Sequence, residues 1–237
     1  MYVCTLISIL GAFFLGLYIV EKIKKTSIKA LYMKTFISVC FLMIAIYGTH
    51  KTVTTFGIFV VIGLVWGLLG DIWLDLKYVY PKDDFLYTVA GFECFSVGHI
   101  FYIVGLLVCF FRPHEDSVLY IAFPAALAIG AGFAVVLFGK IMKLDYGRFK
   151  TISMVYGVLL FGTMFFSGSL AIMYGLKNIA LNLFFIGAVL FAASDLVLSG
   201  TYFGVGKDRP VDIALNYLTY YPGQFLIAWS VLFSVMK

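Results

Sequence analysis

Hydrophobic residues occur along this chain in long runs that are separated by short polar connections. Most of these runs reach the roughly 20 residues that an α-helix needs to cross the hydrocarbon core of a bilayer. The runs cover residues 3–20, 35–49, 53–75, 85–111, 118–139, 150–174, 179–199 and 212–235. The pattern predicts an all-α fold, a polytopic membrane bundle of eight transmembrane helices in a single domain over residues 1–237.

The composition excludes a soluble domain. Of the 237 residues, 63% are hydrophobic and only 12% are charged, whereas soluble domains carry about 25% charged residues. The first run follows no basic residue and precedes no small-residue cleavage site, which predicts a retained span and not a signal peptide. The cysteines lie inside apolar runs without the spacing of metal ligands, so we expect them to fill the core. They are Cys4, Cys40, Cys94 and Cys109.

The net charge of +5 reflects basic residues in the connections between spans. These residues form no patch with interleaved aromatic residues, so we expect no nucleic-acid partner. Thirteen of the 17 Lys and Arg residues fall in the connections after the odd-numbered spans. Because cytoplasmic connections carry the excess of Lys and Arg, the pattern predicts a cell-membrane protein with both termini outside.

This orientation brings the polar residues of four spans to one depth. An ionised Asp at the centre of a spanning helix costs roughly 2.5–3.5 kcal/mol, so such residues usually face the bundle interior and have a function. In the cytoplasmic half, the third, fourth, seventh and eighth spans place Asp71, Asp75, Glu93, Asp195, Asp212, Asn216 and Tyr220, with His99 and Gln224 nearer the midplane. We therefore predict a polar chamber that opens toward the cytoplasm.

Asp71 and Asp195 are the strongest candidates for catalysis. Asp71 follows Gly70, which lets a neighbouring helix or a substrate approach, and Asp195 follows Ser194, whose hydroxyl group can orient it. Two carboxyl groups in one site of low dielectric constant tend to divide into a protonated acid and an ionised base, an arrangement suited to acid-catalysed hydrolysis. The alternative is that each acid pairs with or bridges neighbouring helices and has only a structural role.

The other polar residues also have two interpretations. Asp75 lies one helical turn after Asp71 and near Lys77, so it either belongs to the site or is a solvated residue at the chamber mouth. In the eighth span, polar residues recur every four positions and either line the chamber or hold helices together. They are Asp212, Asn216, Tyr220 and Gln224.

Glu93 and His99 are six residues apart, which puts them on different faces of the fourth span. His99 is either a structural hydrogen-bonding residue or part of the site. The other histidines, His50 and His114, fall in predicted outside connections, so we expect no histidine-rich metal site, and a site made of carboxylates alone is the alternative. We expect no cofactor.

Four segments resemble the YhhN-like lysoplasmalogenase family. They are Gly70-Asp71, the stretch 98–102, the stretch 187–196, and Tyr220-Tyr221 followed by Gln224. The resemblance extends over the third to eighth spans and is most specific in the seventh. It implies an eight-span hydrolase that cleaves the vinyl ether bond of lysoplasmalogens to a fatty aldehyde and glycerophosphoethanolamine or glycerophosphocholine. It also implies that Asp71 and Asp195 are the central acids, surrounded by His99, Tyr220 and Gln224.

This chemistry agrees with the interpretation of the acids. A vinyl ether hydrolyses when an acid protonates its β-carbon and water attacks the resulting oxocarbenium ion, which parallels the two-carboxylate glycosidases. We therefore predict a lysophospholipid substrate, membrane lipids as surroundings, and catalysis by Asp71 and Asp195. Substrate binding or water positioning is assigned to Asp75, Glu93, His99, Ser194, Asn216, Tyr220 and Gln224.

Two other functions are compatible with the same residues. A proton-coupled transporter would use the intramembrane acids as a relay. The nearly apolar outer halves of the four polar spans argue against it, because they offer no continuous polar path. A lipid-binding membrane protein without turnover is the third possibility.

Overall fold

The computed structural model describes residues 1–24, 28–111, 117–204 and 209–234, with Ser117 as main chain only. Over these residues the fold is all-helical. The helices are α1 (Tyr2–Ile23), α2 (Ile28–Thr52), α3 (Thr55–Val79), α4 (Asp84–Phe110), α5 (Ser117–Leu137), α6 (Lys150–Met173), α7 (Ile179–Phe203) and α8 (Pro210–Ser230). Outside the helices, an isolated bridge joins Leu144, in the connection after α5, to Gly204 at the end of α7.

The helices α1 to α7 are long and apolar enough to cross a membrane. The chain is therefore a multi-pass membrane protein. The last helix, α8, is less apolar because it carries Asp212, Asn216 and Gln224. The eighth span accordingly stays a prediction, although α8 packs with the others.

The second helix begins earlier than predicted. The hydrophobic run starts at residue 35, but α2 starts at Ile28 and includes Lys29 and Lys34. Lys34 is only 4% exposed, because its ammonium group forms ion pairs inside the bundle. Hydropathy alone assigns a lysine to a connection and cannot detect a buried partner of opposite charge.

Seven of the described helices close into a ring, and α5 lies outside it. Around the ring α1 packs on α2, α2 on α3, α3 on α4, α4 on α6, α6 on α7 and α7 on α8. The last helix also contacts α1, α2 and α3, which completes the ring. Cys4, Cys40 and Cys94 are buried in this bundle, as predicted, whereas Cys109 is half-buried.

A close approach of α7 and α8 fixes the two helices that carry Asp195 and the polar residues of α8. A Cβ atom on Gly187 would lie 2.7 Å from the carbonyl oxygen of Gly223, and one on Gly223 would lie 2.8 Å from the carbonyl oxygen of Gly187. Small residues let helix backbones meet in this way in membrane proteins. The contact therefore requires glycine on both sides.

We expect Gly187→Ala to lower the free energy of unfolding by roughly 1–3 kcal/mol, because the backbone of α8 cannot yield to the added methyl group. Thermal unfolding in detergent measures the effect. The matched control is Gly130→Ala, also inside a helix, where a Cβ atom would meet nothing within 4 Å. The control should be neutral or slightly stabilising. Equal melting temperatures for the two variants would contradict the tight α7–α8 contact.

Candidate active site

A polar cavity lies inside the helical ring, with about 490 Å³ of atom-free space when the space at its mouth is included. Its lining includes Asp71 from α3 and Asp195 from α7, so the two acids predicted to act together share one cavity. The other polar side chains in the lining are Lys34, Tyr156, Tyr202, Asn216, Tyr217 and Tyr220. Apolar side chains, including Leu74 and Phe95, complete the wall.

Asp71 is almost fully buried, with 2% of its surface exposed. The Oγ of Ser38 and the hydroxyl of Tyr220 donate hydrogen bonds to its Oδ2, at 2.6 and 2.9 Å. The Nζ of Lys34 lies 3.3 Å from its Oδ1. One ammonium group and two hydroxyl groups therefore hold this carboxylate in a fixed orientation.

Asp75 is buried and does not line the cavity. Its Oδ1 lies 2.8 Å from the Nζ of Lys22 and 3.5 Å from that of Lys34, and the hydroxyl of Tyr18 donates to its Oδ2 at 3.2 Å. Its interpretation as a solvated residue at the chamber mouth is therefore wrong. Two lysines that hydropathy places in a connection instead belong to α1 and α2 and reach inward to pair with it.

Asp195 has a different environment from Asp71. The hydroxyl of Tyr156 donates to its Oδ2 in a short hydrogen bond, and the Oγ of Ser194 lies 3.4 Å from its Oδ1. Across the part of the chain that the structure describes, no Lys or Arg forms an ion pair with it. Ser194 is itself buried behind the cavity wall and donates mainly to the carbonyl oxygen of Phe191, at 2.7 Å.

The polar residues of α8 point into the bundle and connect the two acids. The Nδ2 of Asn216 donates to the carbonyl oxygen of Ser194 at 2.7 Å, next to Asp195. One turn later Tyr220 donates to Asp71. The Nε2 of Gln224 then donates to the Tyr220 hydroxyl at 3.1 Å. Asn216 and Tyr220 line the cavity, whereas Gln224 supports Tyr220 from behind.

Asp212 does not take part in this polar face. It lies in the first turn of α8, where its two carboxylate oxygens accept hydrogen bonds from Arg209 at 2.8 and 3.0 Å. The inward-facing polar residues of α8 therefore begin at Asn216.

His99 and Glu93 lie away from the cavity lining. His99 is 2% exposed, its Nδ1 is 2.9 Å from the Oγ1 of Thr163, and its ring packs edge-on against Phe191. Glu93 is exposed on the outside of α4, so its predicted place in the polar chamber is wrong. The face of α4 that meets α3 carries Gly91 and Gly98, and Glu93 falls on another face.

Sequence reasoning missed several residues of the cavity and its surroundings. Lys34 and Ser38, which both contact Asp71, are four residues apart on α2. Asp71 and Asp75 have the same spacing on α3, and this match was a sequence signal for contact between the two helices. Tyr156 offered none, because it is one of 16 tyrosines in an apolar chain.

The described residues contain no group of three or more His, Cys, Asp or Glu side chains that could hold a metal ion. His50 lies in the last turn of α2, and His114 lies outside the described residues.

Comparison with protein families matches the YhhN family over residues 29–231. The match includes nearly all of α2 and the whole of α3 to α8, and therefore every residue that lines the polar cavity. It leaves out α1, which supplies Lys22 and Tyr18 to Asp75. No curated protein and no solved structure matches the chain significantly.

We expect Lys34→Met to lower the free energy of unfolding by about 3–5 kcal/mol, because it removes one partner from buried ion pairs. The double variant Lys34→Met/Asp71→Asn restores the balance of charge and keeps the Lys22–Asp75 ion pair, so it should recover part of the loss. Thermal unfolding in detergent compares both variants with Lys29→Met, which alters an exposed lysine of the same helix. A double variant less stable than the single one would contradict a shared charge network.

Proposed function

We propose that the chain, which belongs to the YhhN family, is a membrane lysoplasmalogenase that hydrolyses the vinyl ether bond of lysoplasmalogens. Family membership supports a hydrolase of this type. The observation that carries the proposal for this chain is that Asp71 and Asp195 line one polar cavity inside an apolar bundle. We further propose that the protein resides in the cell membrane with both termini outside and the cavity in the cytoplasmic half, as the distribution of Lys and Arg favours.

The difference between the two acids supports a division of roles. Asp195 has hydroxyl partners and no ion pair among the described residues. Burial therefore favours the neutral carboxyl form at Asp195 more than at Asp71. Asp71 faces the Lys34 ammonium and two hydroxyl donors, which together stabilise a carboxylate. We therefore assign the general acid to Asp195 and the general base to Asp71.

In the first step Asp195 gives its proton to the β-carbon of the vinyl ether. The π electrons form the new C–H bond, and the positive charge is shared between the α-carbon and the ether oxygen as an oxocarbenium ion. The ionised Asp71 on the same cavity stabilises this cation electrostatically, as the second carboxylate does in glycosidases. Burial strengthens the effect because little water screens the charges.

In the second step a water molecule attacks the α-carbon and gives a proton to Asp71, forming a hemiacetal. The Asp195 carboxylate then takes the hydroxyl proton of the hemiacetal, while Asp71 gives its proton to the glycerol oxygen, which leaves as its bond to carbon breaks. The products are a fatty aldehyde and the glycerophospho head group, and both carboxyl groups are back in their starting state. General acid–base steps of this kind each contribute about 10²- to 10⁴-fold to the rate.

The neighbouring side chains position these acids. Tyr220 and Ser38 hold Asp71, and Tyr156 holds Asp195. Asn216 bonds to the carbonyl oxygen of Ser194 and so anchors the turn of α7 that carries Asp195. The Lys34 ammonium also lines the cavity, where it offers a positive charge to a phosphate group.

We expect Asp71→Asn and Asp195→Asn each to lower aldehyde release from a lysoplasmalogen by about 10²- to 10⁴-fold. Purified protein in detergent and a coupled aldehyde assay give the measurement. Glu93→Gln is the matched control, since it removes an exposed intramembrane carboxylate outside the cavity and should keep wild-type activity. Near-wild-type rates in both Asp variants, with all variants folded, would overturn the proposal.

Hydrolysis in D₂O tests the acid step directly. Because the proton is delivered to carbon, the released aldehyde should carry deuterium at the carbon next to its carbonyl group, as mass spectrometry would show. Unlabelled aldehyde incubated with Asp195→Asn protein in D₂O corrects for exchange by enolisation. Enzymatic aldehyde without deuterium at this carbon would exclude the protonation mechanism.

A further inference from the structure

A second cavity, the apolar groove, adjoins the polar cavity. It has about 510 Å³ of atom-free space, which includes the space open to its surroundings. Apolar side chains dominate its wall, notably Val135 and Val136 of α5, Leu160 and Phe161 of α6, and Leu196 and Phe203 of α7. Hydroxyl groups of Tyr146, Ser153 and Ser199 also line it, but Lys34 and Asp71 line only the polar cavity.

The groove follows from how α5 is attached. Gly132 brings α5 so close to α6 that a Cβ atom there would lie 2.5 Å from the backbone nitrogen of Val158. The helix α7 packs on α6 as well, but among the helices as described α5 packs extensively along α6 alone. The space between α5 and α7, over the surface of α6, is therefore left unfilled by helix packing.

The wall of the groove includes a residue that is exposed on the surface of the bundle. Leu196, which lines it, is 41% exposed, and in a membrane-spanning helix an exposed apolar side chain faces lipid. A hydrocarbon chain can therefore enter it from the bilayer without crossing water.

Asp195 and Tyr156 belong to both cavities. The Asp195 carboxyl group thus lies where a polar space with a lysine and a second acid meets an apolar space that opens to lipid. A lysoplasmalogen has the same division, since its vinyl ether joins a charged glycerophospho head group to a long hydrocarbon chain.

We infer that the apolar groove binds the alkenyl chain of the substrate while the head group occupies the polar cavity, which places the vinyl ether beside Asp195. The inference rests on the proposed function and adds the site that binds the alkenyl chain of the substrate. Because lipid tails are as apolar as the groove, transfer of the alkenyl chain from the bilayer into the groove contributes little to binding affinity. The groove acts by positioning the double bond for protonation.

Filling the groove tests this role. Val135→Phe adds volume on α5, a helix that carries neither acid, and should lower kcat/KM for a long-chain lysoplasmalogen by about 10- to 100-fold. A vinyl ether of the same head group with a chain too short to reach α5 should be hydrolysed at nearly the wild-type rate. Val155→Phe is the matched control, since Val155 is 55% exposed and does not line the groove. It should leave both rates unchanged.

Photolabelling of the wild-type protein tests the same inference and does not require that any variant folds. A saturated ether lysophospholipid, which cannot be hydrolysed, would carry a photoreactive diazirine in mid-chain. After irradiation in detergent, mass spectrometry should find the label on groove residues of α5, α6 or α7, and excess unmodified analogue should compete for it.

The outcomes separate the inference from the proposed function. Label outside the groove, or equal losses for long and short chains in Val135→Phe, would overturn the groove as chain site while leaving vinyl ether hydrolysis intact. Competed label in the groove of a wild-type protein that releases no aldehyde would overturn the proposed function instead. The groove would then stand as a binding site for lysolipid chains.

Discussion

Compensation of charge inside an apolar bundle is the constraint on which this structure depends. Two carboxylates, Asp71 and Asp75, lie one turn apart on α3 and are almost inaccessible to water. They are tolerated there because Lys22 from α1 and Lys34 from α2 reach them, and a buried charge without a partner is strongly destabilising. The ion pairs therefore hold three helices together and orient an acid of the candidate site.

The second organising element is α8, which bonds to both acid-bearing helices. Tyr220 reaches Asp71 on α3, and Asn216 reaches the backbone beside Asp195 on α7. The glycine contact with α7 keeps this helix close enough for the second bond. The relative position of the two acids is thus set by one helix that carries neither of them.

The sequence predicts much of this arrangement and misses its details for identifiable reasons. Apolar runs locate all of the described helices, and the cost of intramembrane charge singles out Asp71 and Asp195, which do share a cavity. Hydropathy cannot recognise a lysine whose charge is neutralised by another helix, so the start of α2 and the surroundings of Asp75 are missed. Depth alone also cannot tell which way a side chain points, which explains why Glu93 is placed wrongly. Helix packing decides both points.

The buried charge network extends beyond the residues that the family match covers, because α1 takes part in it. The family match begins at residue 29, but Lys22 on α1 makes the shortest ion pair to Asp75. A chain cut to the matched residues would keep one ammonium group for two buried carboxylates. It would carry an excess of negative charge in its interior, so the charge balance of the matched helices depends on a helix outside the match.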